Sequence, residues 1–412
     1  MASRGEINKK EIQPILYDKW DVIPFISSVN NVGTFAKVKT SECFEEGIYP
    51  VIDQSERQIS GYINDEELLY KGELPIVIFG DHTRNIKYVD YPFAAGADGT
   101  KILHPKSHLN SKFFYYYLKA LQIPNLGYSR HYSILKQLDV PLPALEEQKQ
   151  IAEKLDKLFD QIESIKKSTE RIPELLKNFR QQILTYAVTG KLTEKWREGN
   201  DLNNEFALIK ADKHRDYNYY VPASWTLLSF SNVVTIESNL VNPNEYKDYP
   251  LIAPDNIESM TGRILSKPTV AEIAPISPKH YFNKGSLIYS KIRPYLSKIA
   301  YVDFDGLCSA DMYPLKTKLN IFYLYYYMLS SEFLSFATTA GERIVLPKIN
   351  QKSLNIIPIP IPSLKEQEEI VNRIQSLFTK LDIVEKRYAA LCDILDKLPQ
   401  AILNKAFKGK LL

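Results

Sequence analysis

The run Asp81-His82-Thr83-Arg84 follows an apolar, strand-like stretch, PIVIF, and Gly80, where a turn would project polar side chains outward. Arginine matches the paired acceptors of guanine as a fork, and aspartate accepts from the amino group of cytosine, so the run suits contact with base edges. The segment from Gly96 to Lys101 offers backbone N–H groups and one lysine, a pattern that fits a phosphate. Ser129, Arg130 and His131, beside Tyr128 and Tyr132, form a second basic group, and Gln54 with Arg57 a third. Farther along, Lys291, Arg293, Tyr295 and Lys298 alternate over a strand-like stretch, where alternate side chains would share a face. Pro294 makes that stretch an edge strand or a loop. Arg343, Lys348 and Lys352 follow Gly341. Each group has a plainer reading, as a solvated surface loop or a structural aspartate–arginine pair.

Catalytic patterns are missing from the same sequence. The Asp81–His82 pair has no placed nucleophile. There is no G-x-x-x-x-G-K-S/T, and the glycines of GADGTK at 96–101 are too close together for a phosphate-binding loop of that kind. Asn242-Pro243-Asn244 lacks the second proline and the aromatic of an amino-methylation loop, and Asp255 with Glu258 has no lysine at a useful spacing for a nuclease. Three cysteines, Cys43, Cys308 and Cys392, are far apart and give neither a zinc site nor a disulfide framework. The N-terminal MASRGEINKKEI has no apolar signal core. The longest apolar run, Ile321 to Leu329, is short of the roughly 20 residues that span a bilayer. A cytoplasmic chain with no membrane partner and no cofactor or metal of its own is expected. A net charge of +3 and a pI of 8.4 lie below the pI of about 9 that marks a self-sufficient basic DNA binder. Nucleic-acid contact would therefore need clustered basic residues or shared contacts.

The elements that must position these groups are revealed by an internal repeat. Residues 140–193 align without a gap to residues 359–412, with about 17 identities over about 54 positions. VPLPALEEQKQI matches IPIPSLKEQEEI, and QQILTYAVTGKL matches QAILNKAFKGKL. Within the first copy, Ile151, Leu155, Leu158, Ile162, Ile165, Thr169, Ile172, Leu176, Phe179, Ile183 and Tyr186 recur at alternating steps of four and three. The second copy runs from Ile370 through Ile374, Leu377, Leu381, Val384, Tyr388, Leu391, Leu395, Leu398 and Ile402 to Lys405. These are heptad seams, and they predict two helices of roughly 40 residues, each about 60 Å long. Paired prolines (Pro141 and Pro143, Pro360 and Pro362) precede each helix, and Gly190 or Gly409 ends it. Pro173 and Pro399 lie inside and are expected to kink the helices without breaking them. Two similar seams in one chain favour an antiparallel intramolecular pair, with a homodimeric coiled coil, or a helix lying on its own domain, as the other possibilities. Lys154, Lys157, Lys166 and Lys167 read as a solvated face.

A globular segment precedes each helix. Trp20 in LYDKWDVIPF matches Trp225 in PASWTLLSF, and FFYYYL at 113–118 matches FYLYYYML at 322–329, both read as buried amphipathic helices. Between these landmarks the segments diverge into different sets of short strands. Residues 194–220 read as a polar connector. The expected organisation is a first globular domain at 1–144, a central helix at 145–193, connector and second domain at 194–362, and a C-terminal helix at 363–412.

This arrangement resembles the specificity subunits of type I restriction-modification systems. The resemblance rests on P-x-P-x-L-x-E-Q opening each helix and A-x-x-G-K-L closing it. The first copy carries Pro141, Pro143, Leu145, Glu147, Gln148, Ala187, Gly190, Lys191 and Leu192; the second carries Pro360, Pro362, Leu364, Glu366, Gln367, Ala406, Gly409, Lys410 and Leu411. YPVIDQ, IVIFGDHTRNIKYV, FAAGADGTKIL and GYSRHYSILK also resemble one type of target-recognition domain, and LIYSKIRPYLSKIA and CSADMYPL another. The resemblance implies an α+β fold: two mixed-sheet target-recognition domains joined by two long antiparallel coiled-coil helices, with pseudo-two-fold symmetry. It implies a non-catalytic subunit whose domains each read half of a bipartite site in double-stranded DNA while the helices fix the unread spacer. It also implies modification subunits that use S-adenosylmethionine and restriction subunits that use ATP and Mg. Docking is expected near Glu147–Gln148 and Glu366–Gln367. The competing readings are a coiled-coil scaffold with protein-binding heads, and a self-contained nuclease or methyltransferase, against which the missing motifs argue.

Overall fold

The computed structural model describes residues 9–97, 99–127, 129–200, 202, 205–211, 217–339 and 347–412. The chain divides into two compact units, residues 1–170 with 389–412, and residues 171–388. Each repeat is divided between the two units, so the linear scheme of domain, helix, domain and helix describes the order along the chain and not the compact units. The division falls within one residue of equivalent points of the two repeats, between residues 170 and 171 and between 388 and 389.

The first unit holds strands β1 (Asp21–Pro24), β2 (Val29–Asn30), β3 (Lys37–Val38), β4 (Tyr49–Ile52), β5 (Gly61–Ile63), β6 (Ile76–Gly80), β7 (Ile86–Val89), β8 (Ala94–Gly96), β9 (Thr100–Pro105) and β10 (Asp139–Leu142). One antiparallel sheet has the order β2-β9-β6-β7; a mixed sheet has the order β3-β8-β4-β5, with β8 parallel to β3 and β4. All five residues of β6 are buried, which is why its sequence shows no alternation: both faces of the strand are covered. Val77 and Phe79 pack with the aromatic helix Ser111–Ala120, while Ile76 and Ile78 pack with Ile52, Phe93 and Ala95. Asn110 caps that helix, accepting from the backbone N–H of Lys112 and Phe113. Phe113, Phe114 and Tyr117 join the strands to Ile151, Leu155, Leu403 and Phe407 of the long helices.

The second unit holds β11 (Phe206–Ala211), β12 (Tyr217–Pro222), β13 (Thr226–Ser229), β14 (Val234–Ile236), β15 (Leu240–Val241), β16 (Leu251–Ile252), β17 (Lys279–Phe282), β18 (Ser286–Ser290), β19 (Ile299–Val302), β20 (Gly306–Cys308), β21 (Met312–Thr317) and β22 (Pro358–Ile361). Its antiparallel sheet, β14-β21-β18-β19, repeats the order of the first unit's β2-β9-β6-β7. The divergence seen in sequence lies in the other sheet, β15-β17-β20-β16. There β20 keeps a parallel neighbour, β16, as β8 keeps β4, but its other neighbour, β17, is antiparallel where β3 is parallel. The second aromatic helix, Ile321–Leu329, is capped by Asn320 and buried against Val234, Leu287 and Leu315. In both units the first of the paired prolines before the long helix, Pro141 or Pro360, sits in a separate two-stranded pair, β1 with β10 or β13 with β22, where an edge tolerates a residue that cannot donate.

The first repeat is two helices, Leu145–Thr169 and Ile172–Val188, and the second is one, Leu364–Phe407. The expected kink at Pro173 is a break, and the proline starts the next helix, where its missing N–H has no intrahelical partner to lose. Pro399 stays inside an uninterrupted helix. Gly190 and Gly409 end the repeats with φ of 82° and 67°, the left-handed region that glycine enters without a Cβ penalty. Within each unit the paired segments run antiparallel. In the first, Lys166 pairs with Asp396 at 2.8 Å while Leu155 packs with Leu403 and Phe407. In the second, Arg180 pairs with Asp382 and, at 3.2 Å, with Glu385, while Arg373 Nη1 donates to the Leu192 carbonyl at 2.8 Å. The seam holds at Ile151, Leu155, Ile162, Ile370, Ile374 and Leu395, which are buried, fails at Ile165, Phe179 and Val384, which are exposed, and shifts at the helix ends, where Tyr186 and Lys405 are exposed. There Leu184, Ala187, Val188, Leu403, Ala406 and Phe407 are buried instead, because the helix ends lie on globular cores that cover a wider stripe than a two-helix seam.

Among the described residues of the stretch read as a connector, Glu194–Glu198 form a short helix, β11 pairs antiparallel with β12, and Arg197 is fully buried.

Candidate nucleic-acid interface

In the first unit, the turn between β6 and β7 is tight. Gly80 N–H donates to Asn85 O at 2.8 Å and Arg84 N–H to Gly80 O at 2.7 Å, with Arg84 at φ 65°. A Cβ on Gly80 would stand 2.2 Å from Thr83 Oγ1, so the turn requires glycine there. Asp81, 2% exposed, is the point where three segments meet. Its N–H donates to Gly99 O at 2.7 Å, and its carbonyl accepts from His131 N–H and His131 Nδ1, each at 2.9 Å. Its carboxylate Oδ1 accepts from Tyr132 N–H at 2.8 Å, and Oδ2 lies 3.7 Å from Lys101 Nζ. His131 Nε2 accepts from Leu126 N–H at 3.1 Å, so the partners match the tautomer with its proton on Nδ1. Gln54 braces the same turn. Its Oε1 accepts from His82 N–H at 3.1 Å, and its carbonyl accepts from Thr83 Oγ1 at 2.5 Å and Asn85 Nδ2 at 2.9 Å.

The expected contact residues therefore divide. Asp81 and His131 (0% exposed) were expected to touch bases or phosphates; they are buried and hold three loops together. Arg84 does not extend a free fork, since its Nη1 donates to Ile123 O at 3.0 Å and its Nε is buried. Thr83, Ser129, Arg130 and Arg57 are exposed, and His82, Gln54 and Lys101 are half-buried beside them. Beneath Arg57, the Lys87 ammonium donates to the Arg57 carbonyl and lies 3.6 Å from Asp53. Burial pushes the lysine's pKa down even though Asp53 opposes the shift. Burial would raise the pKa of Asp53, but hydrogen bonds from Ser55 and the charge of Lys87 hold it below the usual carboxylate value.

The second unit builds the same construction from other side chains. The loop after β18 is not strand-like: it turns through a 3-10 segment, Pro294–Leu296, with Arg293 at φ 49° and Ser297 at φ 43°. Alternate residues consequently do not share a face. Arg293 and Tyr295 are exposed, whereas Lys298 Nζ donates to Pro254 O at 2.7 Å. Lys291 is half-buried, 5.1 Å over the Tyr313 ring; burial and then the neighbouring Lys348 push its pKa down. Lys291 N–H donates to Asp311 O at 3.0 Å, and its carbonyl accepts from Ile349 N–H at 2.9 Å. Arg293 N–H donates to Pro347 O at 2.8 Å. Lys348 pairs with Asp311 at 2.9 Å, Lys352 is exposed, and Arg343 lies outside the described residues. Lys291 thus takes the backbone place of Asp81. In both units the loop after the central strand (β6 or β18) is bonded on one side to the loop before β9 or β21, and on the other to a segment that follows the aromatic helix. The sequence picked out residues in both clusters; it carried no signal for the hydrogen bonds that join them.

Glu147, Gln148, Glu366 and Gln367, expected to dock partners, turn out to be internal clasps. Gln148 Oε1 accepts from Asn110 N–H at 2.7 Å and its Nε2 donates to Pro143 O at 2.8 Å; Gln367 does the same with Asn320 N–H at 2.9 Å and Pro362 O at 2.9 Å. Glu147 accepts from Trp20 Nε1 at 3.1 Å, and Glu366 from Trp225 Nε1 at 3.0 Å. Glu366 also accepts from Thr193 Oγ1 at 2.7 Å and pairs with Arg197 at 2.6 Å. The motif locks each sheet-rich body to its helix, and burial of Gln148, Glu366 and Gln367 removes them from any partner's reach. The match of Trp20 to Trp225 was the available clue.

Residues 18–174 and 227–392 match the family model described as type I restriction modification DNA specificity domain. The chain is 43% identical over 245 residues to the Type I restriction enzyme EcoDI specificity subunit of Escherichia coli, a match covering 58% of this chain and 54% of that protein. It is 27% identical over 250 residues to the EcoBI specificity subunit of Escherichia coli, covering 58% and 51%. The chain spans about half the length of the curated relatives it matches. Its fold is similar to the crystal structure of the HsdS subunit from Thermoanaerobacter tengcongensis, at TM-score 0.57 and 17% identity, covering 96% of this chain and 98% of that one. A second likeness, at TM-score 0.61 and 16% identity and covering 96% and 99%, is to a chain from a study of complex assembly and conformational transition of the type I R-M system. The family model covers most of the chain in two blocks, one for each globular segment with its helix, and the chain belongs to the type I restriction-modification DNA specificity family.

Proposed function

We infer that the chain is the non-catalytic, DNA-reading specificity subunit of a type I restriction-modification complex, each unit reading one half of a bipartite site. The observation that carries this reading is the three-loop cluster. The two units share its backbone construction around Asp81 and Lys291 but present different side chains: His82, Thr83, Lys101 and Arg130 in one, Arg293, Tyr295 and Lys348 in the other. A common frame with different exposed donors is what two different half-sites require, since base edges are read by side-chain donors and acceptors and phosphates set register. The long helices fix the unread spacer.

Modification subunits, which bring S-adenosylmethionine and methylate a base, dock on the helices. With Gln148, Glu366 and Gln367 buried, the exposed apolar residues are the better surface: Ile165 and Ile394 in the first unit, Leu175, Phe179, Ile383 and Val384 in the second. Restriction subunits with ATP and Mg complete the complex, which acts in the cytoplasm. Among the described residues no helix is long and apolar enough to cross a membrane.

Methylome sequencing of cells expressing the chain with its modification subunit tests this reading. A bipartite methylated motif that disappears without the chain is expected, and exchanging residues 20–140 changes one half alone. Symmetric insertion or removal of residues in the paired helices changes the spacer and leaves both halves intact. No motif, beside a modification subunit that is active with another specificity chain, favours the scaffold reading instead.

A further inference from the structure

We propose that a groove beside the β6–β7 turn of the first unit holds a phosphate of the DNA backbone, with Arg84 and Lys119 as its cations; this rests on the DNA-reading assignment above. The groove has a volume of about 750 Å³ and is bounded by the turn Thr83–Asn85, by Gln58 and by Lys119 and Gln122 at the end of the aromatic helix. Three cationic side chains line it, and only one is neutralised. Lys87 is committed to Asp53 and to the Arg57 carbonyl. Arg84 gives Nη1 to the Ile123 carbonyl and has a buried Nε with no hydrogen-bond partner. Lys119 is exposed; its Nζ donates to Tyr115 Oη at 3.1 Å and lies 5.2 Å over that ring. Neither cation forms an ion pair among the described residues.

A carbonyl and a hydroxyl satisfy donors but leave the positive charge uncompensated. A partly desolvated guanidinium without a counter-ion gains from an arriving anion. Gln122 adds a neutral donor suited to a non-bridging oxygen, while Asn85 Nδ2 and Gln58 Nε2 already donate to the Gln54 and Tyr88 carbonyls. Glu56, also on the groove, opposes the anion and leaves a net excess of one charge once Lys87 and Asp53 are set against each other. Thr83 lines the groove, so an anion here lies next to the loop cluster. Such a contact sets register without reading sequence.

The test is the full chain with its modification subunits, titrated against a duplex carrying the methylated motif and a scrambled duplex, from 0.05 to 0.3 M salt. Lys119→Gln removes a surface charge from one phosphate contact. It is expected to weaken both duplexes about fivefold at about 0.15 M salt, to make the slope of log affinity against log salt shallower by about 0.9, and to leave the methylated motif unchanged. Glu56→Gln is expected to strengthen both. Unchanged affinity in both variants overturns the proposal. So does a loss confined to the motif duplex, which would make Lys119 a base reader, or loss of the modification subunits from Lys119→Gln, which would make the groove a carboxylate site for a partner. Absence of duplex binding by the wild-type complex would instead overturn the function assigned above.

Discussion

Replacing Glu366 with glutamine tests the clasp in the second unit. Arg197 is wholly buried, and Glu366 is 2% exposed. The glutamine keeps one acceptor oxygen, for Trp225 Nε1 or for the side shared by Thr193 Oγ1 and Arg197 but not for both, and leaves the guanidinium without its carboxylate. Breaking a buried pair on one side costs about 3–5 kcal/mol. Arg197 retains Gly190 O at 2.7 Å and Thr193 Oγ1 at 3.0 Å, so about 3 kcal/mol is the working value. For a unit of this size that lowers its melting temperature by about 6–12 °C. The equivalent change in the first unit, Glu147→Gln, should cost under about 1 kcal/mol, because Glu147 is half-buried and its interaction with Trp20 survives in the amide. Thermal unfolding of the two variants, with hydrogen exchange of peptides covering residues 190–200 and 364–370, measures the difference. Equal melting shifts, or a shift below about 1 °C for Glu366→Gln, would refute the claim that the buried charge pair carries the clasp. Arg197→Met combined with Glu366→Gln should recover part of the loss, since no unpaired charge remains.

Asp81→Ala strands the Tyr132 N–H and frees Lys101, so it should cost about 1–3 kcal/mol in chemical denaturation; Arg130→Ala, on the exposed face, should stay within about 0.5 kcal/mol while lowering duplex affinity. Equal destabilisation by the two would show that burial does not separate positioning from contact. Arg293→Gly relieves a left-handed φ worth about 1 kcal/mol, so the second unit should melt higher while methylation loses specificity at one half-site. A lower melting temperature would refute the strain argument. His280 is 4% exposed, and its Nδ1 has no partner. Burial, then Lys291, holds its pKa below the ordinary 6.5. The unfolded chain therefore takes up the proton first, and the stability that neutral His280 confers is present above about pH 6.5. That stability falls as pH drops through the lower folded value. Melting curves between pH 7.5 and 5 should show this loss in the wild type and less of it in His280→Gln; identical curves would remove His280 as the cause.

Periodicity, length and repetition are local properties, and the sequence determined what depends on them. It determined the duplicated helices, the left-handed glycines that end them, the two aromatic helices, and the surrounding strands with their polar loops. The heptad steps at Ile151, Leu155 and Ile162, or at Ile370 and Ile374, need only a helix and an apolar neighbour to become buried. The tertiary structure decided what depends on residues far apart in the chain. Asp81 and His131 are polar residues in polar loops, and nothing near them in sequence says that they bond to each other across fifty positions. Glu366 and Arg197 look like surface charges until the segment after the first helix folds back onto the start of the second. The break at Pro173 and the unbroken helix at Pro399 share a residue type but not a setting: one proline starts a helix, and the other is held within a helix by the cores packed against it. Burial of a polar group is set by what arrives from elsewhere in the chain, and so which charged residues face solvent was settled by packing.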